Sequence, residues 1–550
     1  MNQPTQLGRR DLLRLGIGLA SAGVLGADVP IPVVTKVVKT TNGDVQGLVK
    51  DGVQVLKGIR YGAAPVGPLR FMPPQRPKPW KGVADATEFG APAIQMAPPI
   101  SASPATDFGR QLATIYTTPA EIKIQNEDCL FLNVWTPGLG GGTRRPVMVW
   151  LHGGGFAYGS GAWPIYDGAN LAKKGDVVVV TVNHRLNVFG YLYLAQIGQL
   201  GNDAYAKSGN AGMLDLVAAL EWVRDNIEAF GGDPGNVTIM GESGGGAKVS
   251  TLLAMPGAKG LFHRAVIQSG PGLRGVPTDA ATRTAKGLLD ELQVSAADTI
   301  ALQSIPAEDI LAAAFAAAAK AGGGPMGGMM RLAPVVDGVV LPSDPFTPAA
   351  PAISASVPIL IGSNKDEMTL FTAAEPWFAT LTDTQLMERA KLAGPKGEVL
   401  VAAFRKLYPD YSPTYLLNQV MTATSMFAGS VTLAERKAAQ KAAPVYMYYL
   451  IWETPVANNL FKSPHTLDIP LMFDNVDKAR VLVGRGPQPE ALARQMSDAW
   501  LAFARAGNPN AASIPEWPPY TAERRATMLF DVKSRVADDP NAEIRKILQS

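Results

Sequence analysis

A serine enclosed by glycines, in the sequence Gly241-Glu-Ser-Gly-Gly245, has the surroundings of an enzymatic nucleophile. The apolar residues 237–240 precede it and a helix-compatible segment follows it, so the pattern predicts a strand, a tight turn and a helix. The glycines let such a turn hold the hydroxyl of Ser243 exposed at the carboxyl end of the strand, next to the N–H of the following residue. Glycine-rich chains produce this motif by chance, so it is the strand before it and the helix after it that identify Ser243 as the candidate nucleophile.

A nucleophilic serine also needs a base, an acid that orients the base, and donors for the negative oxygen that forms during the reaction. Donors are expected in the loop after the predicted strand at residues 146–151, where Gly153, Gly154 and Gly155 let backbone N–H groups approach a substrate. We assign the N–H groups of Gly154 and Gly155 to this oxyanion hole, with the N–H of Gly244 as the third donor.

Histidine is scarce, which allows the base to be found by elimination. The chain contains four histidines, His152, His184, His263 and His465. Where a serine sits on a strand-to-helix turn, the order along the chain is nucleophile, acid, histidine. His152 and His184 precede the serine, and His263 follows it too closely to leave room for the acid. His465, in a proline-flanked loop after an apolar strand, is therefore the predicted base, whereas His152 is interpreted as a structural residue of the glycine loop.

The acid is not decided by the residues alone. Asp366 and Glu367 are neighbours just beyond the predicted strand at 357–361, and either could orient the histidine. Asp337 is a third candidate, although its place in the sequence Pro-Val-Val-Asp-Gly is typical of a β-turn. The choice between Asp366 and Glu367 stays open at this point.

Apolar runs and amphipathic segments alternate along the chain and predict the elements that carry these residues. Continuous apolar runs at 146–151 and 176–182 indicate strands covered on both faces, and further strands are predicted at 264–268, 357–361 and 445–452. Apolar residues at helical spacing predict a helix from about residue 213 to 230 and a second helical face near 492–503. The alternation predicts an α/β fold with a mostly parallel, doubly wound central sheet.

The first 27 residues are predicted to be an export signal rather than part of the fold. Arg9 and Arg10 precede an apolar run at 12–25, which is shorter than the roughly 20 apolar residues that a membrane span requires. Paired arginines, a modest apolar region and small residues near 20–27 are typical of a twin-arginine signal, and a disordered basic leader is the alternative. The mature protein is then expected in the periplasm or outside the cell, without a membrane span.

Residues 28–550 are predicted to form one catalytic domain. Two regions, near 280–330 and 375–440, interrupt the alternation of strands and helices. We interpret both as helical cap insertions over the edge of the sheet, with ordinary outer-layer helices as the alternative.

Composition excludes some classes of function. The chain has 550 residues, 47% of them hydrophobic, and a formal net charge of +3, which provides no electrostatic footprint for nucleic acid. The single cysteine, Cys129, leaves no intramolecular disulfide, although exported proteins commonly contain disulfides.

Taken together and in order, these motifs resemble those of the type-B carboxylesterases, the family that includes bacterial para-nitrobenzyl esterases and cholinesterases. The resemblance covers nearly all of the chain after residue 27. Its motifs lie at residues 58–74, 127–134, 152–156, 183–185, 230–234, 241–245, 364–367 and 465. It implies an α/β-hydrolase fold, a small-molecule ester as substrate, and neither a metal ion nor an organic cofactor. It also selects Glu367 as the acid, because the family has a glutamate at the matching position.

The sequence departs from the family pattern at four positions. Gly244 stands where the family usually has alanine, which keeps the N–H and should remove a methyl group from the pocket. Ala93 stands where the family has the disulfide partner of Cys129. Met368 replaces a usual glycine beside the acid, and His184 replaces a usual tyrosine. None of these changes removes a catalytic group.

The resulting hypothesis is a serine hydrolase that cleaves carboxylic esters through Ser243, His465 and Glu367 and an acyl-enzyme intermediate. An amidase or a lactone or carbamate hydrolase would use the same groups. A non-catalytic binding module related to cholinesterases is the alternative from a different class, and the intact triad argues against it.

Overall fold

Valine-rich and isoleucine-rich segments build a central sheet of eleven strands. The computed structural model describes residues 32–96, 115–116, 125–140, 142–198, 205–320 and 331–550. Residues 34–550 form one compact unit. In spatial order, the strands of the sheet are β16 (Arg535–Asp538), β15 (Ala526–Phe530), β14 (Val445–Leu450), β13 (Ile359–Asn364), β10 (Arg264–Gln268), β9 (Gly232–Glu242), β7 (Arg145–Leu151), β8 (Val178–Val182), β6 (Phe131–Thr136), β4 (Val53–Arg60) and β3 (Leu48–Lys50).

Short strands outside the central sheet form two smaller ones. These strands are β1 (Val38–Lys39), β2 (Asp44–Gln46) and β5 (Val83–Asp85) in the first, and β11 (Val276–Pro277) and β12 (Val335–Val336) in the second. The principal helices are α1 (Ala169–Gly175), α2 (Asn187–Tyr191), α3 (Ala211–Asn226), α4 (Gly244–Leu252), α5 (Thr278–Leu292), α6 (Ala307–Lys320), α7 (Thr369–Thr372), α8 (Asp383–Leu392), α9 (Gly397–Leu407), α10 (Pro413–Thr422), α11 (Ala428–Ala438), α12 (Asp468–Met472), α13 (Arg480–Val483), α14 (Pro487–Ala506) and α15 (Ala542–Gln549).

The centre of the sheet is parallel, as the alternation of strands and helices predicts. Strand β7 pairs in parallel with β8 and β9, and the parallel series continues from β9 through β10, β13 and β14 to β15. Antiparallel pairs lie at the two margins, where β16 pairs with β15 and where β6, β4 and β3 follow β8. The prediction of an α/β fold with a mostly parallel sheet is therefore confirmed.

Both faces of the sheet are covered by apolar side chains, which explains the continuous apolar runs. Along β7, Val147 and Val149 belong to one buried cluster and Met148 and Trp150 belong to the other. Helix α3 contributes to the first cluster and helix α14 to the second. Successive side chains of a strand point to opposite faces of the sheet. In a strand between two helical layers both sets of side chains are buried, and the strand is therefore apolar throughout.

The two predicted cap regions are helical where they are described. Helices α5 and α6 occupy the first region, with a 3-10 segment, Ala296–Gln303, between them, and helices α8 to α11 occupy the second. Apart from Ala281 of α5, the buried apolar residues of these helices belong to the same apolar cluster as one face of the sheet. Their function as caps over the site stays a prediction. The export signal, residues 322–330 and most of the irregular segment 95–118 lie outside the described residues.

All parallel strands end at the same edge of the sheet, so the loops after β7, β9, β10, β13 and β14 meet there. In register, Gly241 of β9 lies beside Leu151 of β7 and Ile267 of β10, and Asn364 of β13 lies beside Leu450 of β14. Ser243, Glu367 and His465 all follow these strand ends in the sequence. No helix in the described part of the chain is long and apolar enough to cross a membrane.

Candidate active site

Ser243 lies at a sharp turn between strand β9 and helix α4. Its backbone angles, φ 56° and ψ −122°, fall in a region that costs a non-glycine residue about 1–3 kcal/mol. The neighbouring strand β10 holds the turn in place, since the N–H of Ser243 donates a hydrogen bond of 2.8 Å to the carbonyl of Gln268. Gly245 permits the close approach behind the turn, because a Cβ there would lie 2.0 Å from the carbonyl oxygen of Leu151. The predicted strand, turn and helix are therefore present.

His465 and Glu367 form a buried pair beside this turn. The Nδ1 atom of His465 lies 2.5 Å from Oε2 of Glu367, and neither side chain is exposed by more than 3%. The other carboxylate oxygen of Glu367 accepts hydrogen bonds from the hydroxyl of Ser269, at 2.6 Å, and from the N–H of Asn364, at 2.7 Å. Both carboxylate oxygens of Glu367 are thus fixed, and Glu367 holds the Nδ1 edge of the imidazole ring in place.

The neighbouring Asp366 points away from the histidine. Its two carboxylate oxygens accept hydrogen bonds from the side-chain amide of Gln419, at 2.6 Å, and from the N–H of Ser463, at 3.1 Å. Asp337 lies in a turn, where one oxygen accepts three backbone N–H groups, those of residues 339–341. Of the three candidate acids, only Glu367 contacts His465.

A second carboxylate, Glu242, lies on the other side of the imidazole. Its Oε1 atom is 3.1 Å from Nε2 of His465, without the alignment of a hydrogen bond. In the described part of the chain, Nε2 has no hydrogen-bond partner, and none joins it to the hydroxyl of Ser243. Ser243 directly follows Glu242, so the turn of Ser243 adjoins a residue that contacts the imidazole. Hydrogen bonds between a nucleophile and its base are often long or poorly aligned in enzymes without bound substrate.

Burial and the acidic neighbours of the imidazole together determine the pKa of His465. Burial by itself lowers the pKa of His465, but Glu242 and Glu367 raise it, and the resulting pKa is about 9. Burial also raises the pKa of Glu242 well above its usual range, with the imidazole acting in the opposite direction. Asp468, which is fully buried and accepts hydrogen bonds from Gln268 and Tyr448, has a raised pKa for the same reason.

The glycine loop after β7 lies directly against the turn that carries Ser243. A Cβ atom placed on Gly244 would lie 2.1 Å from the carbonyl oxygen of Gly155 and 2.4 Å from its Cα. The sequence interpretation of Gly244 is therefore wrong in one respect. The space of the missing methyl group is occupied by the backbone of Gly155, so the glycine brings the loop closer instead of enlarging the pocket.

The remaining histidines lie outside the His465–Glu367 pair. His152 and His184 are buried and stacked, with ring centroids 4.8 Å apart, and Nδ1 of His152 lies 2.9 Å from the carbonyl oxygen of Gly153. Burial first, and the charge of Lys248 second, lower the pKa of His152 to about 3. His152 thus contacts the backbone of the glycine loop, which agrees with its interpretation as a structural residue of that loop. His263 is half-buried, and its Nδ1 accepts a hydrogen bond from the N–H of Val237 in the middle of β9.

Cys129 is buried, and it lines a small cavity together with Ala93. Two hydrogen bonds join the adjoining segments, from the N–H of Asn126 to the carbonyl of Pro92 and from the N–H of Gln95 to the side chain of Gln125. Hydrogen bonding thus holds the two segments together where the family resemblance places a disulfide.

Several residues of the site escaped the sequence analysis. Glu242 adjoins the nucleophile and Ser269 follows directly after β10, so their positions at strand ends were the available signal. Lys248 was the clearest missed signal, because a lysine stands out among the small and apolar residues that follow Ser243. Among the described residues, no group of three or more His, Cys, Asp or Glu side chains is arranged to hold a metal ion.

A serine on such a turn, at the carboxyl edge of a mostly parallel sheet, is typical of α/β-hydrolases that act through a nucleophilic serine. Comparison with known proteins narrows this class. The sequence model of the carboxylesterase family matches residues 34–546, and the chain belongs to this family. It is a carboxylic ester hydrolase with the α/β-hydrolase fold, as the motifs predicted.

Individual relatives match over almost their full length. The para-nitrobenzyl esterase of Bacillus subtilis (strain 168) is 36% identical over 530 residues, which cover 93% of this chain and 98% of that protein. The phenmedipham hydrolase of Pseudarthrobacter oxydans is 31% identical, over 91% of this chain and 96% of its own length. The crystal structure of a Geobacillus stearothermophilus carboxylesterase is similar with a TM-score of 0.80 and 41% identity, and it covers 94% of this chain and 100% of that one.

Proposed function

We propose that Ser243, His465 and Glu367 are the catalytic triad of this esterase, and that the N–H groups of Gly154, Gly155 and Gly244 form its oxyanion hole. The observation that carries the proposal is the buried contact between Nδ1 of His465 and Oε2 of Glu367, 2.5 Å long, beside the strained turn of Ser243. That contact occupies Nδ1, so Nε2, which faces Glu242, is the nitrogen that acts on the serine hydroxyl when it is unprotonated.

The reaction runs in two halves. Nε2 of His465 takes the proton of Ser243 as its Oγ attacks the ester carbonyl, and the N–H donors stabilise the negative oxygen of the tetrahedral intermediate. His465 then gives this proton to the departing alcohol, which leaves an acyl group on Ser243. Water, activated by the same nitrogen, attacks the acyl-enzyme and releases the acid. Glu367 keeps the imidazole oriented and stabilises it while it is charged.

The substrates are carboxylic esters of small molecules. One relative is named a para-nitrobenzyl esterase, which supports acceptance of aromatic esters by this site. We propose p-nitrophenyl esters as working substrates, with graded acyl length to define the preference.

The decisive test is the substitution Ser243→Ala. It should reduce hydrolysis of p-nitrophenyl esters by several orders of magnitude and abolish covalent labelling by an organophosphonate, while the circular dichroism spectrum and the thermal midpoint stay close to those of the wild type. Retention of more than a tenth of the wild-type kcat would refute the assignment of the nucleophile. Labelling of a different serine, located by mass spectrometry, would do the same.

We further propose that the protein is exported, periplasmic or extracellular, through the twin-arginine route. Arg9 and Arg10 before the apolar run at 12–25 support this assignment, and the single cysteine is compatible with a chain that folds before export.

A further inference from the structure

Helix α4 carries a lysine whose position the triad does not explain. Lys248 lies five residues after Ser243, and its side chain is completely buried, with an exposed fraction of 0%. Its ammonium group donates hydrogen bonds to the carbonyl oxygens of His152, at 2.9 Å, and of Gly155, at 2.8 Å. These two carbonyls flank the segment that holds the proposed oxyanion donors Gly154 and Gly155.

No described carboxylate forms an ion pair with Lys248. Its neighbours are backbone carbonyls, the aromatic ring of Phe156, whose centroid lies 5.4 Å from Nζ, and the buried histidines His152 and His184, whose pKa values are lowered by burial. Burial of an unpaired ammonium group is costly, and burial lowers the pKa of Lys248 to about 7. A buried lysine without a carboxylate partner, so close to the proposed nucleophile, is a candidate for a function in the active site.

The two hydrogen bonds act on the glycine segment of the loop, where the backbone has the greatest conformational freedom. Peptide units next to glycine rotate easily, and a trans peptide directs its C=O and its N–H to opposite sides. The ammonium group of Lys248 binds the carbonyl oxygens of His152 and Gly155, one on each side of the donor segment. The peptide units of His152 and Gly155 are thereby prevented from turning their oxygens towards the reacting oxygen.

The same lysine connects the donors to each other. Lys248 belongs to the helix that begins at Gly244, the third proposed donor, whereas its two acceptors belong to the loop of Gly154 and Gly155. Because the backbones of Gly244 and Gly155 touch, a small displacement of the loop would change the spacing between all three N–H groups. Catalysis by such donors depends on their being fixed in advance.

We propose that Lys248 is a positioning residue of the oxyanion hole, which fixes the glycine loop against helix α4 and places a positive charge behind the developing negative oxygen. This inference rests on the proposed triad and oxyanion hole. It predicts that removal of the ammonium group lowers the rate of the chemical step while substrate binding in the ground state is retained.

The test is the substitution Lys248→Met, which keeps the length and the apolar stem of the side chain. The chain offers a matched control in Lys437, a second buried lysine, which donates to the carbonyls of Ser354 and Ala355 at 2.7 Å each. Lys437 lies on α11 and contacts none of the site residues named above. Lys437→Met therefore reports the effect of removing a buried lysine as such.

For Lys248→Met we expect kcat to fall by about 10- to 100-fold and KM to change by less than about 3-fold, since removal of one oxyanion donor typically costs about 100- to 1000-fold in kcat. For Lys437→Met we expect a kcat within about 2-fold of the wild type, whatever its loss of thermal stability. Rates are expressed per active site titrated with an organophosphonate, so that misfolded molecules do not enter the comparison.

A second measurement separates positioning from general loosening. Trifluoromethyl ketones add to the serine and form a tetrahedral oxyanion, so their inhibition constant should rise in Lys248→Met by about the same factor as kcat falls. Lys248→Gln, which is shorter and uncharged but keeps a donor, serves as the second variant, and it should show an intermediate loss.

Either of two outcomes overturns the inference. One is a kcat per active site within 2-fold of the wild type in both Lys248 variants, and the other is a fall in kcat without a rise in the inhibition constant of the ketone. Failure of the triad itself is distinguishable, because Ser243→Ala would then retain activity and organophosphonate labelling.

Discussion

At the scale of single residues, the surroundings of His465 assign different tasks to carboxylates that look alike in the sequence. Glu367 is fixed by the hydroxyl of Ser269 and the N–H of Asn364 and faces the imidazole. Asp366 is fixed by Gln419 and Ser463 and faces the other way. Glu367 therefore orients the histidine ring, whereas Asp366 stabilises the loop that carries His465.

This division of tasks gives opposite expectations for two conservative substitutions. Glu367→Gln should lower kcat by about three to four orders of magnitude, because the imidazole loses both its orientation and its charge stabilisation. Asp366→Asn should lower the free energy of unfolding by about 1–3 kcal/mol, since one of its two N–H donors loses its acceptor, with a much smaller loss of kcat. Steady-state kinetics and urea denaturation of both variants provide the comparison, and a reversed ranking of the two kcat values would contradict it.

The contact between Gly244 and Gly155 leads to a second prediction at this scale. Gly244→Ala should lower kcat/KM by at least about 10-fold on both p-nitrophenyl acetate and p-nitrophenyl octanoate, because the new methyl group displaces the backbone of a proposed oxyanion donor. Gly257→Ala is the control, since a Cβ there would have only Val217 within 4 Å, at 3.9 Å. A loss confined to the longer ester would instead support the view that Gly244 provides space for substrate.

At the scale of elements, the apolar patterns of the sequence predicted the strands and helices. The contacts between segments far apart in the chain were not predicted. Strand β10 is found at the predicted residues 264–268, and the other apolar runs fall within a few residues of their strands, because a strand buried on both faces is apolar throughout. The predicted helix at 213–230 ends as an α-helix at Asn226 and continues as a 3-10 turn, Ile227–Phe230. The contact of Glu242 with His465 and that of Lys248 with the glycine loop join segments far apart in the chain, and no local pattern encodes them.

The segments around Ala93 and Cys129 allow a prediction about cross-linking. Ala93→Cys should form a disulfide with Cys129, because the two side chains line the same cavity and two hydrogen bonds already hold the segments together. Closing a loop of about 36 residues should stabilise the oxidised protein by about 3–4 kcal/mol in the chain-entropy model.

Thiol titration of the denatured, unreduced variant and its thermal midpoint with and without reductant provide the measurement. Ala93→Ser is the control, and it should retain one free thiol. Two titratable thiols in oxidised Ala93→Cys would mean that the segments are held too far apart to be joined.

At the scale of the whole molecule, the family match begins at residue 34, after the predicted export signal, and extends to residue 546. With a single cysteine, the chain depends on its apolar core rather than on intramolecular disulfides, which is compatible with the proposed export of an already folded chain.

Substitution of both arginines tests the export route. Arg9→Lys combined with Arg10→Lys should leave the precursor inside a host that has a twin-arginine apparatus, because a receptor reads the arginine pair and lysine preserves only its charge. Immunoblots of cytoplasmic and exported fractions measure the effect, with the wild-type leader as the reference. Unchanged export of the double variant would favour a general secretory leader.

The order of strands in the sheet also governs when activity can arise during synthesis. A growing chain that has passed residue 465 already carries Ser243, Glu367 and His465, yet β14 still lacks its neighbour β15, and the buried Trp500 of α14, which donates to the side chain of Gln268, has not been made. The ribosome must proceed beyond residue 530 before β15 is complete, and β16 follows at Arg535–Asp538. We therefore expect a nascent chain to be inactive towards esters until its synthesis is nearly over.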